Sequence, residues 1–326
     1  MSETIQVRSR LWRRAFLPAI CALCLCAPSL ASGQASSAAT DPFQAAHQLL
    51  DKKQFAEAEH LLRGYLESHL SSADAHFLLG YTLFREDRPK DSLAEFTTGA
   101  RFRRPGPSDL KIVGANYVVL GDYTDADKWL TMVVSESPLD AEAWYMLGRT
   151  KYNENRFQEA VQAFQKVLDL RLHDVKAENN LGLSYEGLNR LDEAQAAFET
   201  AIAWQKDAAV KDEQPYLNLG SLLADRDQLQ PALENLQKAA ALAPRNPKIL
   251  EQLGRVYDLL KMPDKAEANL TQAIAFAPDV PGLHFRLGQV YKQLGKRELA
   301  QQQFEICQKL NSTHSSSETP NPVTRN

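Results

Sequence analysis

The sequence predicts an all-α fold, a solenoid of about eight helix–turn–helix repeats. Three features lead to this prediction: a regular series of glycines, a second small residue at a constant distance from each glycine, and apolar positions spaced for helices. The glycines lie 34 residues apart except for one interval of 38, and they are Gly80, Gly114, Gly148, Gly182, Gly220, Gly254 and Gly288. The second small residue follows twelve positions later, as Ser92, Ala126, Ala160, Ala194, Ala232, Ala266 and Ala300. A fixed period of this length is typical of helix pairs stacked into an array.

Each repeat has the apolar spacing of two packed helices. With the glycine taken as position 8, apolar positions 4, 7, 8 and 11 form one stripe on a first helix, helix A. Positions 20, 24 and 27 form the facing stripe on a second helix, helix B. Leucine or valine occupies position 7 in all seven of these repeats, and phenylalanine or leucine occupies position 24. A glycine inside a helix costs about 1 kcal/mol relative to alanine. We therefore expect close packing of the two helices at this point to offset that cost.

Proline at position 32, in Pro138, Pro244 and Pro278, completes a pattern that resembles the tetratricopeptide repeat family over residues 39–314. The resemblance implies a right-handed superhelical solenoid that binds a protein or peptide. The repeats are predicted at 39–72, 73–106, 107–140, 141–174, 175–212, 213–246, 247–280 and 281–314. Repeat 5 has four extra residues, close to one helical turn of 3.6 residues. We expect its helix B to run about one turn longer than the others, into residues 204–212.

Residues 1–31 have the layout of a secretory signal peptide. A basic start, with Arg8, Arg10, Arg13 and Arg14, precedes an apolar stretch from Ala15 to about Ala31 and a run of small polar residues. This order predicts an exported protein, periplasmic or secreted, cleaved near Ala31 and followed by a linker at 32–38. The alternative is an uncleaved N-terminal membrane anchor, the only membrane contact expected. The residues 315–326 are rich in Ser, Thr, Asn and Pro and are predicted to be a disordered tail.

Composition and motifs predict neither an enzyme nor a cofactor protein. The formal net charge of −4 is unlike the basic excess of nucleic-acid-binding proteins, so no nucleic acid is expected as a partner. The four cysteines and seven histidines do not have metal-site spacing, and no catalytic motif is present, so no cofactor or metal is expected. His76 and His284 fall at packing position 4 and are predicted to be core histidines. Cys307 falls at packing position 27 and is predicted to be buried.

The resemblance also implies a concave groove lined by positions 2, 5, 9 and 12 of helix A. Aromatic residues gather there in repeats 2 and 4, and such residues are common interface anchors. Asparagines at position 6 of consecutive repeats could bond the backbone of an extended partner, since a side-chain amide both donates and accepts. Replacing Tyr145 and Tyr152 by alanine is expected to change folding little, because positions 5 and 12 lie outside the stripe that packs helix A on helix B. The candidate partner-binding residues are Phe77, Tyr81, Phe84, Lys111, Tyr145, Arg149, Tyr152, Asn179, Asn180, Asn218, Lys248 and Arg255.

Two functions fit the sequence. The first is a non-enzymatic interaction scaffold of the cell envelope or secretory space that holds a partner peptide or helix in its groove. The second is a regulatory or assembly subunit of an enzyme or envelope complex whose catalysis is on another chain. Gln301 and Gln308 stand where earlier repeats carry apolar stacking residues, so the last helix is expected to cap the array and keep it monomeric.

Overall fold

The structure, a computed structural model, describes residues 41–317 and confirms the all-α solenoid. Sixteen helices lie in this range, two for each of the eight predicted repeats. Their bounds are α1 Pro42–Asp51, α2 Phe55–Ser68, α3 Ala73–Arg85, α4 Pro89–Ala100, α5 Pro107–Val119, α6 Tyr123–Glu136, α7 Ala141–Asn153, α8 Phe157–Leu170, α9 Val175–Gly187, α10 Leu191–Trp204, α11 Gln214–Asp225, α12 Leu229–Leu242, α13 Pro247–Leu259, α14 Pro263–Phe276, α15 Pro281–Gln293 and α16 Arg297–Ser317. Each helix packs on the helices before and after it, and from α3 to α15 each odd-numbered helix also contacts the next odd-numbered helix. The odd-numbered helices therefore form one wall of the solenoid.

The glycine at position 8 lies where helix A meets the large residue at position 24 of helix B. A Cβ atom added at Gly182 would stand 2.5 Å from a ring carbon of Phe198, and one at Gly148 would stand 2.8 Å from the ring of Phe164. Both rings are fully buried. The glycine thus permits the close helix approach that the sequence pattern predicts.

The turn between the two helices of every repeat contains a residue with left-handed backbone geometry. This residue always occupies position 15, and its φ lies between 58° and 74°. The eight residues are Lys53, Asp87, Gly121, Asn155, Asn189, Asp227, Lys261 and Gly295. Only two are glycine, so six turns hold a residue for which this conformation is unfavourable or merely tolerated.

The apolar core is continuous in one half of the array and divided in the other. One cluster of buried residues extends from Ala194 in α10 to Val290 in α15. Four smaller clusters cover the helices from α1 to α9. The buried apolar residues from α1 to α9 therefore form separate groups, whereas those from α10 to α15 form one connected set.

The expected extension of helix B in repeat 5 is wrong. Helix α10 ends at Trp204, the same repeat position at which most other second helices end, and residues 205–213 form a loop before α11. The buried side chain of Gln205 closes this loop: its Nε2 donates to the Asp212 carbonyl at 2.9 Å, and its Oε1 accepts from the Asp212 N–H at 2.7 Å. These two bonds stabilise the loop in place of a further helical turn.

The last helix also departs from expectation. Helix α16 continues to Ser317, so the predicted start of a disordered tail at residue 315 is wrong, and the remainder of that tail lies outside the described residues. Cys307 is half-buried rather than buried, because no helix within residues 41–317 packs on the side of α16 that faces away from α15. Gln301 and Gln308 are exposed, and their capping role stays a prediction. The predicted signal peptide and linker, residues 1–38, also lie outside the described part of the chain.

Candidate functional site

Three of the predicted groove residues lie around one cleft on the wall of odd-numbered helices. Phe84 of α3 and Tyr145 and Arg149 of α7 line a cavity of about 160 Å³. The remaining lining residues are mainly apolar: Ala115, Val118, Val119 and Met146. The structure thus brings together position 12 of repeat 2 with positions 5 and 9 of repeat 4, across helix α5.

This cleft presents apolar surface and one unpaired cation to solvent. Val119 is 52% exposed, and Phe84 and Tyr145 are half-buried. Arg149 is exposed and makes no ion pair with any residue between 41 and 317. Exposed apolar surface beside polar groups is typical of an interaction site.

The tyrosines of repeat 4 are held by their neighbours and contribute to packing. The Tyr145 ring meets Phe164 edge-on, with centroids 5.8 Å apart, and its hydroxyl accepts from Asn180 Nδ2 at 3.1 Å. Tyr152 meets Phe157 in the same way at 5.4 Å. Burial raises the pKa of both phenols. Both rings pack against the core of repeats 4 and 5, contrary to the expectation that folding depends little on them.

Phe77 is not a groove residue, contrary to expectation. It is only 4% exposed, and its ring lies 5.8 Å from that of Phe96. The reason is Gly99 at position 27 of the same repeat: a Cβ atom there would lie 2.5 Å from the Phe77 ring. The ring fills the space that a larger residue occupies in other repeats, and the Arg103 guanidinium covers it at 4.9 Å.

Tyr81 belongs to a stack that the sequence did not reveal. Arg85 donates to the Tyr81 hydroxyl at 2.7 Å and places its guanidinium 4.9 Å from the centroid of the Phe55 ring. A cation over an aromatic face is attracted by its quadrupole. The spacing of Tyr81 and Arg85, one helical turn apart, could have indicated the contact between these two side chains, but not the contact of Arg85 with Phe55.

The predicted basic groove residues other than Arg149 already have acidic partners. Lys111 lies 3.0 Å from Asp140 and 2.8 Å from Glu142. Burial disfavours its charge, but bonds to the two carboxylates outweigh this effect and hold the pKa of Lys111 above its ordinary value. Two more cations are paired in repeat 7: Lys248 with Glu251 at 3.3 Å, and Arg255 with Asp225.

The asparagines bond to the protein itself rather than presenting a free series of amides. Asn218 Nδ2 donates to Asn179 Oδ1 at 2.9 Å, and Asn180 Nδ2 donates to the Lys176 carbonyl at 2.7 Å as well as to Tyr145. Asn179 is buried, so the expectation that it contacts a partner is wrong. The donors of Asn180 and Asn218 therefore fix the positions of neighbouring side chains.

Sequence comparison identifies the family. Models described as tetratricopeptide repeat match residues 43–108, 141–174, 176–207, 247–280 and 281–314, more than half of the chain. The chain belongs to the tetratricopeptide repeat family. The tetratricopeptide fold is generally a non-catalytic scaffold, and proteins that contain it bind proteins or peptides.

Solved structures share the tetratricopeptide fold at low sequence identity. A tetratricopeptide repeat protein from Parabacteroides merdae is 16% identical with a TM-score of 0.62, covering 76% of this chain and 97% of that one. The APC/C Cut9–Hcn1 hetero-tetramer is 18% identical with a TM-score of 0.59, covering 82% of this chain and 52% of that one. PilW, a type IV pilus biogenesis factor, is 20% identical with a TM-score of 0.56, covering 65% of this chain and 95% of that one. These likenesses show the fold alone.

Curated relatives match in part of their length. Protein O-mannosyl-transferase TMTC1 of Mus musculus is 25% identical over 158 residues, 47% of this chain and 16% of the relative. The BBSome complex member BBS4 of Bos taurus is 24% identical over 146 residues, 45% of this chain and 27% of the relative. The chain thus spans between a sixth and about a quarter of the length of these two proteins.

Position 4 of the tetratricopeptide repeat holds a recurring hydrogen bond. The predicted core histidines are confirmed: His76 and His284 are buried, and each donates through Nε2 to the carbonyl six residues earlier, at 3.0 and 2.8 Å. Trp144 Nε1 makes the same bond at 2.9 Å. Glu178 occupies this position in repeat 5, where burial raises its pKa to about 7.

No group of three or more His, Cys, Asp or Glu side chains in residues 41–317 could hold a metal ion. None of the helices in that range combines the length and apolar character needed to cross a bilayer.

Proposed function

We propose that this protein is an interaction scaffold that holds a segment of a partner protein against α3, α5 and α7. The observation that carries the proposal is the cleft between Phe84 and Tyr145, where exposed Val119 lies beside the unpaired Arg149. Apolar surface of this kind is stabilised when a partner covers it.

The cleft favours a partner of defined chemistry. Its size suits one apolar side chain, and Arg149 would pair with an acidic residue next to that side chain. Because the Tyr145 ring is fixed by Phe164 and Asn180, little side-chain freedom is lost on binding. We therefore propose a partner segment that carries an apolar residue followed or preceded by an acidic one.

Two variants test this function without disturbing the core. A photoreactive residue at Val119 should crosslink the partner, and the purified partner should bind Arg149→Glu at least about tenfold more weakly, the effect of losing one interface anchor. Arg171→Glu is the matched control, since Arg171 is exposed at the end of α8, away from the cleft. If Arg149→Glu and Arg171→Glu bind the partner equally well at unchanged thermal stability, the proposal that the partner binds in this cleft is wrong.

We also propose that the scaffold acts after export. The support is the order of basic, apolar and small residues in 1–31. N-terminal sequencing of protein from its native host should find the mature chain starting near Ser32. Retention of Met1 or Ser2 on a membrane-bound form would contradict cleavage and favour the anchor.

A further inference from the structure

A second cavity lies against the other face of α5, between repeats 2 and 3. It has a volume of about 340 Å³ and lies between helices α4, α5 and α6. Its walls are formed largely by Leu93, Phe96, Ala100, Leu110, Val113 and Trp129. Unlike the cleft on the wall of odd-numbered helices, it is lined by the second helices of the repeats as well as by α5.

The early end of α4 explains why this cavity exists. Helix α4 has 12 residues, whereas α2, α6, α8, α10, α12 and α14 have 14 each. After Ala100 the chain turns back over the start of α3, where Phe102 stacks on His76 and Arg103 pairs with Asp74 at 2.7 Å. Half a helical turn is thus missing where α4 would cover α5 and α6, and Ala100 is too small to fill the space.

The mouth of the cavity is basic. Arg104 is the only charged residue that lines it, and its side chain is 74% exposed while paired with Glu136. Arg101 follows the lining residue Ala100, is exposed, and makes no ion pair with the residues that the structure describes. The pair of Arg104 and Glu136 is exposed to water and therefore weak, so the Arg104 guanidinium can still accept a second anionic partner. With Arg101 unpaired, the two arginines and Glu136 leave the entrance with a net positive charge beside the apolar interior.

We propose that this cavity binds a single-chain amphiphile, with its alkyl chain between α4 and α6 and its anionic head group at Arg104. The volume lies at the lower end of the range of about 300–1,000 Å³ typical of small-molecule sites. An alkyl chain needs no hydrogen-bond partner, which suits walls whose backbone groups are already bonded within helices.

The geometry is less suited to a peptide. A bound helix inserts several side chains along a groove, whereas this cavity of about 340 Å³, bounded by about two turns of α4 and of α5, by α6 and by Arg104 and Pro105, has the volume of a single small ligand. An extended peptide would need free backbone donors and acceptors along the walls. The amphiphile is accordingly the occupant that the surroundings favour.

Calorimetric titration of the full chain with decanoate, below its micellar concentration, tests the proposal. Saturable binding of one molecule is expected, with a change in the fluorescence of the lining residue Trp129. Ala100→Phe fills the cavity and should weaken binding at least about tenfold while raising the melting temperature. Thr97→Leu, at another lining position, is the second variant if Ala100→Phe does not fold.

The head-group contact is tested by charge. Arg104→Glu should weaken decanoate binding about three- to tenfold and leave decan-1-ol binding unchanged, because only the former has a charge to lose. The control Arg171→Glu should bind decanoate like the wild type. Absence of saturable decanoate binding by the wild type would overturn the site, and so would equal decanoate binding by the wild type and the filled variants Ala100→Phe and Thr97→Leu. If Ala100→Phe has a raised melting temperature but unchanged decanoate binding, the cavity is a packing defect and the proposal is wrong. Equal effects of Arg104→Glu on both ligands would overturn the assignment of the head group.

Discussion

Replacing Gly182 by alanine tests the contact that fixes the helix pair within each repeat. The new methyl group would lie 2.5 and 2.7 Å from two ring carbons of Phe198, which is fully buried and has no space to move into. Gly64 provides a matched control inside helix α2, since a Cβ atom there would meet nothing within 4 Å. Both substitutions exchange a helical glycine for alanine, but only one meets a side chain.

The expected change in the free energy of unfolding differs between Gly64→Ala and Gly182→Ala. Alanine should stabilise either helix by about 0.5–1 kcal/mol. At Gly64 nothing opposes this gain, so Gly64→Ala should be more stable than the wild type by about that amount. At Gly182 the steric conflict costs about 1–3 kcal/mol, which leaves a net loss of up to about 2.5 kcal/mol.

Urea unfolding followed by circular dichroism measures both free energies of unfolding. Gly182→Ala combined with Phe198→Ala should be less destabilised than the sum of the single variants by about 1 kcal/mol or more, because removing the ring makes room for the methyl group. A gain in stability for Gly182→Ala equal to that of Gly64→Ala, or strict additivity in the double variant, would refute the steric explanation.

Three further predictions concern charge, backbone and association. The raised pKa of Glu178, about 7 against an ordinary 4.5, means that the folded protein binds its proton more tightly than the unfolded chain, so stability should fall as pH rises from about 4.5 to 7. Glu178→Gln should flatten this fall and add at most about 3 kcal/mol above pH 7, measured by urea unfolding at several pH values. Lys261→Gly, at a φ of 61°, should add about 0.5–1 kcal/mol in the same assay, and no gain would contradict the assigned turn geometry. Gln308→Leu should associate end to end in sedimentation velocity, and a variant that stays monomeric at high concentration would show that Gln308 is no cap.

The sequence predicted the repeats because their contacts recur at constant spacing. The pair of Gly182 and Phe198 has the same separation as the equivalent pairs in other repeats, so one pattern gives the helix pairs and their core. The left-handed turn residue also recurs at position 15. It was missed because Lys53 and Lys261 are not residues that usually indicate this geometry.

The errors arose where one side chain differs between repeats. Phe77 was predicted to be exposed from its helical face alone, but Gly99 on the other helix creates the space that buries it. The length of the insertion in repeat 5 matched a helical turn, yet Gln205 bonds to the backbone of Asp212 and makes it a loop. A period describes what the repeats share and contains no information about such contacts.

The early end of α4 has a mechanical consequence. Of all consecutive helices between residues 41 and 317, α4 and α5 pack against each other least extensively. The cavity lined by Ala100 lies at this junction. Repeats 2 and 3 should therefore rotate against each other more easily than other neighbouring repeats, and such a rotation would change the width of the cavity.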